Sequence, residues 1–178
     1  GIGFHEVTQR VYPEGRLGAQ LLGFVNAEGQ GNYGVEGGLN DRLAGKDGEL
    51  RTVTDVRDVP LTIGDDNVSI PAKDGDTVVL SVDRTVQSYA EEALQRGMEK
   101  AGATDGSILV MNPNNGQVLA MANYPSYEPA AFNYVEDGTV FNNATISMPY
   151  EPASVIKTFV MAAGIDKGVI RPETTYTN

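Results

Sequence analysis

An almost uninterrupted apolar run near the C-terminus constrains the fold of this chain more than any other feature. Between Pro152 and Gly168 the sequence predicts a helix over 154–167 that is apolar on nearly every side, through Val155, Ile156, Phe159, Val160, Met161, Ala162, Ala163 and Ile165. A helix that is apolar all round belongs in the core of a protein. A lysine near its start, Lys157, is therefore not expected to be an ordinary solvated side chain.

Ser154 and Lys157 form the candidate site because they lie three positions apart at the start of this helix. That spacing places both side chains on one helical face, one turn apart, so that the amine can reach the hydroxyl. A serine hydroxyl becomes a good nucleophile when a neighbouring base takes its proton, and a desolvated lysine can be that base. A structural alternative has Ser154 as a helix cap and Lys157 extending to solvent. Spacing and burial alone leave both interpretations open.

Composition excludes several other kinds of chemistry. The chain of 178 residues has no cysteine, which excludes disulfides, thiol catalysis and cysteine-ligated zinc. Its formal net charge is −11, so nucleic acid is not expected as a partner. The one histidine, His5, lies far before Ser154 and is a poor candidate for a Ser-His-Asp triad. With 40% hydrophobic and 21% charged residues, the chain is typical of a globular protein.

Two further motifs suggest a phosphate-binding loop and a calcium site, but their spacing excludes both. Gly38 and the Gly45-Lys46 pair are too far apart for a phosphate-binding loop, and no Ser or Thr follows the lysine. The aspartate-rich segments 64–67 and 73–76 do not follow the ligand order of a calcium-binding EF-hand. Solvated turns are the preferred interpretation of both segments.

The first half of the chain predicts short elements separated by glycine-rich turns. A helix through Leu17 to Leu22 ends at Gly23, a brief strand follows at 24–25, and a helical turn lies at 39–43. Runs rich in β-branched residues predict strands at 50–53, 56–63 and 77–82. The run Thr77 to Val82 is the clearest strand prediction of the three.

The second half predicts a long helix and a hairpin. Asp83 is the expected N-cap of a helix over 84–101, and Gly102 follows its end. Its apolar face comprises Val86, Ala90, Ala93, Leu94, Gly97 and Met98. Two apolar runs, 107–111 and 117–122, flank a turn at 112–116 and predict a β-hairpin. Residues 123–149 are expected to be a loop.

Motifs spread over nearly the whole chain resemble those of the class B penicillin-binding proteins, the membrane-anchored D,D-transpeptidases that cross-link peptidoglycan. Those similar to the family's non-catalytic pedestal are Arg10 to Pro13, Leu22 to Asn26, Gly31 to Glu36 and Leu43 to Gly48. Those similar to its transpeptidase domain are Leu80 to Asp83, Val86-Gln87, Asn115 to Ala122, Tyr124 to Tyr127 and Glu151-Pro152. Ser154 and Lys157 stand where the S-x-x-K acylation motif of such enzymes stands.

The chain also departs from the family pattern. Ala153 replaces a usual glycine, Asn143-Ala144 replaces Asn-Arg, and Glu128 to Ala130 replaces Asp-Pro-Asn. The family's later motifs, S-x-N and K-T/S-G, do not occur after Ser154. The resemblance therefore implies that these residues hold an incomplete active site and are inactive alone, whether the rest belongs to the same chain or to a second chain.

The resemblance implies an α+β fold with two parts: a β-rich pedestal at 1–82 and an incomplete transpeptidase domain at 83–178, with an antiparallel sheet and packed helices. It implies Ser154 as the nucleophile and Lys157 as the general base of a serine-type D-Ala-D-Ala transpeptidase, with no metal or organic cofactor. The expected ligands are peptidoglycan stem peptides or lipid-linked precursors, and β-lactams.

By the same resemblance, the expected protein partners are a glycosyltransferase and cell-division or elongation proteins. The expected location is the extracytoplasmic face of the cell membrane, held by an N-terminal anchor. The segment Gly23 to Asn26 favours a septal role over one in elongation.

Several alternatives share parts of this pattern. A D,D-carboxypeptidase or β-lactamase would use Ser154 and Lys157 but resolve the ester with water, and a β-lactam sensor would stop at acylation. The pedestal-like residues 1–82 speak against all three. A non-enzymatic alternative is a scaffold module that binds cell-wall assembly partners through the pedestal. The presence or absence of the two later motifs in the gene beyond Asn178 discriminates these alternatives.

Overall fold

The computed structural model describes residues 9–51 and 68–175. The chain has an α+β fold, with short helices, one long helix and antiparallel strand pairs. Contacts divide it into two compact units, Gly1–Ser147 and Met148–Asn178. Within the described ranges, no helix combines the length and apolar character needed to cross a membrane.

The N-terminal part of the first unit consists of short elements. In chain order they are α1 (Ala19–Leu22), β1 (Phe24–Val25), β2 (Gly31–Asn32), α2 (Gly34–Gly38), α3 (Asn40–Leu43), β3 (Glu49–Arg51) and β4 (Val68–Ile70). β1 pairs antiparallel with β2, and β3 with β4. Gly23 ends α1 with φ 79°, and a Cβ there would collide with the carbonyl oxygens of Asn32 and Tyr33. The predictions for α1, β1 and α3 are thus confirmed.

The strand predictions between residues 50 and 82 have mixed outcomes. Of the run at 50–53, residues 50 and 51 lie in β3 (Glu49–Arg51), and residues 52 and 53 lie outside the described residues. The run at 56–63 and the turn at 64–67 lie outside the described residues. The strand prediction for Thr77 to Val82 is wrong, since no strand pairing involves these residues. β-Branched side chains favour a strand only where a neighbouring strand completes the ladder.

The long helix and the hairpin form the main core of the first unit. α4 (Arg84–Ala101) begins at Asp83, whose carboxylate accepts hydrogen bonds from the backbone N–H groups of Thr85 (2.8 Å) and Val86 (3.0 Å). It packs on the antiparallel hairpin of β5 (Gly106–Met111) and β6 (Val118–Tyr124). The buried core residues are Ala90, Leu94, Met98, Ala120 and Ala122. Both predictions are confirmed, although Ala93 and Gly97 are exposed and do not join the buried face.

Gln87 is the polar residue that ties α4 to the hairpin. It is only 1% exposed. Its Nε2 donates to the carbonyl oxygen of Met121 (3.0 Å) and to Glu91 Oε1 (2.8 Å), and its Oε1 accepts from the backbone N–H of Met121 (2.8 Å). One amide group therefore satisfies both backbone polar groups of a strand residue inside the core.

Replacing Gln87 by leucine is expected to lower the free energy of unfolding by about 2–4 kcal/mol, because the Met121 N–H and C=O lose their partners in the core. Urea unfolding followed by circular dichroism would measure this change. The matched control is Gln95→Leu on the same helix, where the exposed amide bonds only to Glu99. An equal effect of both substitutions would contradict the role given to Gln87.

Residues 123–147 form a second core with the N-terminal segment. The predicted loop contains 3₁₀ turns at Pro129–Tyr134 and Gly138–Phe141, followed by α5 (Ala144–Ser147). The second core comprises Ala19, Phe24, Tyr127 and Phe141. Tyr127 Oη donates to the carbonyl oxygen of Ala19 at 3.0 Å, and burial raises the pKa of this phenol. The hydroxyl therefore stays protonated and serves as a fixed donor between the two segments.

The second unit contains the apolar helix. A 3₁₀ turn at Ala153–Val155 leads into α6 (Ile156–Asp166), which confirms the helix predicted at 154–167. Its expected burial is not observed: Phe159 is 68% exposed and Val160 64% exposed. The described residues of this unit, 148–175, provide no apolar layer that could bury all sides of one helix. An apolar helix is buried only where other elements cover it.

Candidate active site

Ser154 and Lys157 lie where the chain enters α6. Ser154 is in the 3₁₀ turn, and Lys157 is the second residue of the α-helix. The helical path over these residues places the two side chains on one face. Both are exposed, and in the described part of the chain neither side chain makes a hydrogen bond. The exposure of Lys157 contradicts the expectation that it is not an ordinary solvated side chain. Catalytic hydrogen bonds often form only in the substrate complex, and the roles of Ser154 as nucleophile and Lys157 as general base stay predictions.

The start of α6 is a favourable place for a nucleophilic oxygen. The first backbone N–H groups of a helix have no partner inside the helix and carry partial positive charge. Ser154 lies two residues before the first residue of the eleven-residue helix Ile156–Asp166. Negative charge that develops near Ser154 during attack on a carbonyl would be stabilised by this end of the helix.

Ala153 has an unusual backbone conformation for a residue with a Cβ. Its φ is 46°, in the left-handed region that favours glycine. The sequence resemblance expects glycine at this position. A left-handed residue with a side chain costs about 1–2 kcal/mol. The positive φ gives a physical reason for glycine before the nucleophile and identifies Ala153 as a point of backbone strain.

Replacing Ala153 by valine is expected to lower the free energy of unfolding of the complete protein by about 1–2 kcal/mol relative to Ala153→Gly, because a β-branched residue fits a positive φ poorly. Thermal unfolding of both variants would measure the difference. Val155→Ala is the control, because Val155 is in the same turn and 58% exposed, but its φ is not positive. Equal stabilities of the two position-153 variants would contradict the backbone conformation.

A buried polar network lies at the end of the first unit. Asn143 Oδ1 accepts hydrogen bonds from Asn123 Nδ2 (3.0 Å) and from the backbone N–H and the hydroxyl of Thr145. This links β6 to the start of α5, the last element before residue 148. The sequence placed Asn143 in a loop, and only its resemblance to a family motif singled it out. Local pattern could not show its contact with Asn123, which is twenty positions away.

Comparison with known proteins places these residues in a family. Residues 106–178 match the family described as penicillin binding protein transpeptidase domain. The chain is 40% identical over 174 residues to a Pseudomonas aeruginosa protein named "Probable peptidoglycan D,D-transpeptidase PbpC", covering 93% of this chain and 29% of that protein. It is 33% identical over 171 residues to the Escherichia coli peptidoglycan D,D-transpeptidase FtsI, covering 96% of this chain and 28% of that protein.

A solved structure shows the same relationship. Penicillin-binding protein 3 of Mycobacterium tuberculosis, complexed with ampicillin, superposes with a TM-score of 0.72 and 30% identity. The match covers 93% of this chain and 33% of that one. The chain thus spans less than a third of the curated relatives described above. Sequence and fold therefore agree that the chain is similar to penicillin-binding proteins, and residues 106–178 match their transpeptidase domain.

Proposed function

We propose that the complete protein is a peptidoglycan D,D-transpeptidase that acts through a serine acyl-enzyme. The observation that carries the proposal is the placement of Ser154 and Lys157 at the start of α6, inside the residues that match the transpeptidase family. The curated relatives from Pseudomonas aeruginosa and Escherichia coli carry peptidoglycan D,D-transpeptidase in their names.

In the proposed reaction, Lys157 Nζ takes the proton of the Ser154 hydroxyl as Oγ attacks the carbonyl carbon between the two terminal D-alanines of a stem peptide. The C–N bond breaks, the terminal D-alanine leaves with a proton as its amine, and an ester joins the peptide to Ser154. An amine from a second stem peptide then attacks the ester, forms the cross-link and returns the proton to the serine oxygen. The remaining groups of the pocket would come from the S-x-N and K-T/S-G motifs.

β-Lactams are the proposed inhibitors of this site. A β-lactam has a strained amide that Ser154 would open in the same way as the natural amide, leaving an ester on Oγ. The similar Mycobacterium tuberculosis protein was solved in complex with ampicillin. That finding supports, for this chain, a pocket that accepts penicillins.

The resemblance also supports a cellular setting. We place the active part on the extracytoplasmic face of the cell membrane, where peptidoglycan is assembled, with an N-terminal anchor. Residues 1–82 would form the pedestal and 83–178 the first part of the transpeptidase domain. A glycosyltransferase and division proteins are the proposed partners, and the Gly23 to Asn26 segment favours septal synthesis.

The products formed from a synthetic stem peptide distinguish the candidate activities. The complete protein would be incubated with a donor that ends in D-Ala-D-Ala and with a D-amino acid as the acceptor amine, and the products separated by mass. A transpeptidase gives the exchanged peptide as the main product, whereas a carboxypeptidase gives the shortened acid even with the amine present. Absence of both products, with a folded protein that contains both later motifs, would favour the scaffold alternative and overturn the proposal.

A further inference from the structure

Residues 77–80 form an unpaired segment on the surface of the first unit. They have neither helix nor turn nor strand pairing. In the part of the chain that the structure describes, none of their backbone N–H or C=O groups makes a hydrogen bond within the protein. Val79 is 90% exposed, and the sequence of this segment is Thr-Val-Val-Leu. Strongly strand-forming residues thus lie at the surface with their ladder positions open.

Hydrogen bonds hold this segment at both ends. On one side, the backbone N–H of Asp76 donates to the carbonyl oxygen of Arg42 at 2.7 Å. On the other side, the Ser81 hydroxyl donates to the carbonyl oxygen of Val118 at 2.8 Å. The backbone N–H of Asp83 donates to the carbonyl oxygen of Leu119 at 2.9 Å. The open positions are therefore held between fixed points, which lowers the entropy cost of binding there.

An apolar cleft runs beside the segment. Its volume is about 380 Å³, and its apolar lining includes Leu17, Leu21, Leu22, Val78, Val79 and Leu80. Open backbone groups next to an apolar cleft are the two features that strand addition requires: the backbone supplies hydrogen bonds, and the cleft receives a side chain of the incoming strand.

We propose that residues 77–80 bind an extended segment of a partner protein by β-strand addition, with an apolar side chain of that segment in the adjacent cleft. The bound segment has an apolar, β-branched centre flanked by Lys or Arg. None of these residues belongs to the candidate active site, and the inference holds whether or not the proposed enzymatic function is correct.

The net negative charge of the chain favours a basic partner over a second copy of the chain. Residues 74–83 contain three aspartates and no lysine or arginine. Of the cations near this segment, Arg42 is paired with Asp76 at 3.0 Å and Arg84 with Glu14 at 2.8 Å, whereas Lys73 and its bridge partner Lys46 lie on the N-terminal side of Asp74. A second copy of the chain would bring another net charge of −11, and antiparallel self-pairing centred on Val78 and Val79 would place Asp74 opposite Asp83. A basic-flanked segment avoids this repulsion.

The test uses the complete protein and the peptide acetyl-KKTVIVTKK-amide, with acetyl-EETVIVTEE-amide as its charge control. Binding would be measured by calorimetry, and amide hydrogen exchange would locate the contact. We expect the basic peptide to bind at least about tenfold more tightly than the acidic one and to slow exchange at residues 77–80. Equal binding of both peptides, or protection only elsewhere, would overturn the proposal.

Val79 offers a matched pair of variants. Val79→Pro removes an N–H that has no hydrogen-bond partner within the described ranges 9–51 and 68–175, and it is expected to weaken binding of the basic peptide at least about tenfold. Val79→Thr keeps the N–H and should bind the peptide within about threefold of the unchanged protein. If Val79→Pro does not fold, a basic peptide that is N-methylated at alternate residues tests the same hydrogen bonds, because it lacks the N–H groups that the peptide would donate to residues 77–80. Unchanged binding of the proline variant or of the methylated peptide contradicts strand addition. If the protein forms dimers in the absence of peptide and Val79→Pro dissociates them, the occupant of this surface is a second copy of the chain and not a basic partner.

Discussion

Replacing Ser154 by alanine is expected to lower the rate at which a penicillin acylates the complete protein by roughly 10⁴-fold or more. The reason is chemical: alanine has no oxygen on which the ester can form, so only non-specific reaction remains. The rate would be followed with a fluorescent penicillin under single-turnover conditions. A loss of this size exceeds what a change in helix capping produces, since removal of a cap costs about 1 kcal/mol of stability and leaves the chemistry intact.

The matched control for Ser154 is Ser107→Ala. Ser107 is an exposed serine on β5. Its replacement removes a hydroxyl of the same kind outside the segment that contains Ser154 and Lys157, and the acylation rate should stay within about twofold. Acylation of Ser154→Ala at the normal rate would mean that another residue is the nucleophile and that Ser154 is only a cap.

Replacing Lys157 by arginine is expected to slow acylation about 10³-fold. Arginine keeps the positive charge but cannot give up its proton in a protein, so it cannot take the proton of the serine hydroxyl. This substitution therefore separates a base from a lysine that acts only through its charge. The measurement is again the single-turnover acylation rate, together with the melting temperature to show that the variant is folded.

Lys167→Arg is the control for the same helix. Lys167 follows the last residue of α6 and is exposed. At this end of the helix either cation interacts favourably with the carbonyl groups, so neither rate nor stability should change measurably. If Lys157→Arg acylates as fast as Lys167→Arg, Lys157 is not the base and the proton must go elsewhere.

The sequence predicted elements whose signals are local. Asp83 was identified as an N-cap because an acceptor side chain at that position satisfies backbone donors one turn away, and the structure shows both bonds. The β5–β6 hairpin followed from its turn chemistry in the same way. The position of α6 also followed from local pattern, since Pro152 and Gly168 mark its limits.

Features that depend on distant neighbours were missed. Gln87 was grouped with a family motif but not with the core, because its partner Met121 lies 34 positions along the chain. Thr77 to Val82 had the composition of a strand, yet no other described strand pairs with it. The apolar pattern of α6 predicted a buried helix, and this prediction is wrong for the described residues, because burial depends on elements that cover the helix and not on its own sequence.

The candidate site was predictable only in part, because some of its features are local in sequence and others depend on distant residues. The spacing of Ser154 and Lys157 is a local fact, and the structure places Ser154 in the turn that leads into α6 and Lys157 in its first turn. The positive φ of Ala153 was not predictable from composition, although the expected glycine at this position was a signal for it. The contact of Asn143 with Asn123 required the fold.

The most direct test of the central claim is the position of the penicillin adduct. The complete protein would be treated with benzylpenicillin, digested and sequenced by tandem mass spectrometry, with Ser154→Ala treated in parallel. We predict that the intact mass of benzylpenicillin is added to the peptide that contains Ser154 and to no peptide of the variant. An adduct on a different residue, or no adduct on a folded protein that includes both later motifs, would contradict the assignment of Ser154 as the nucleophile.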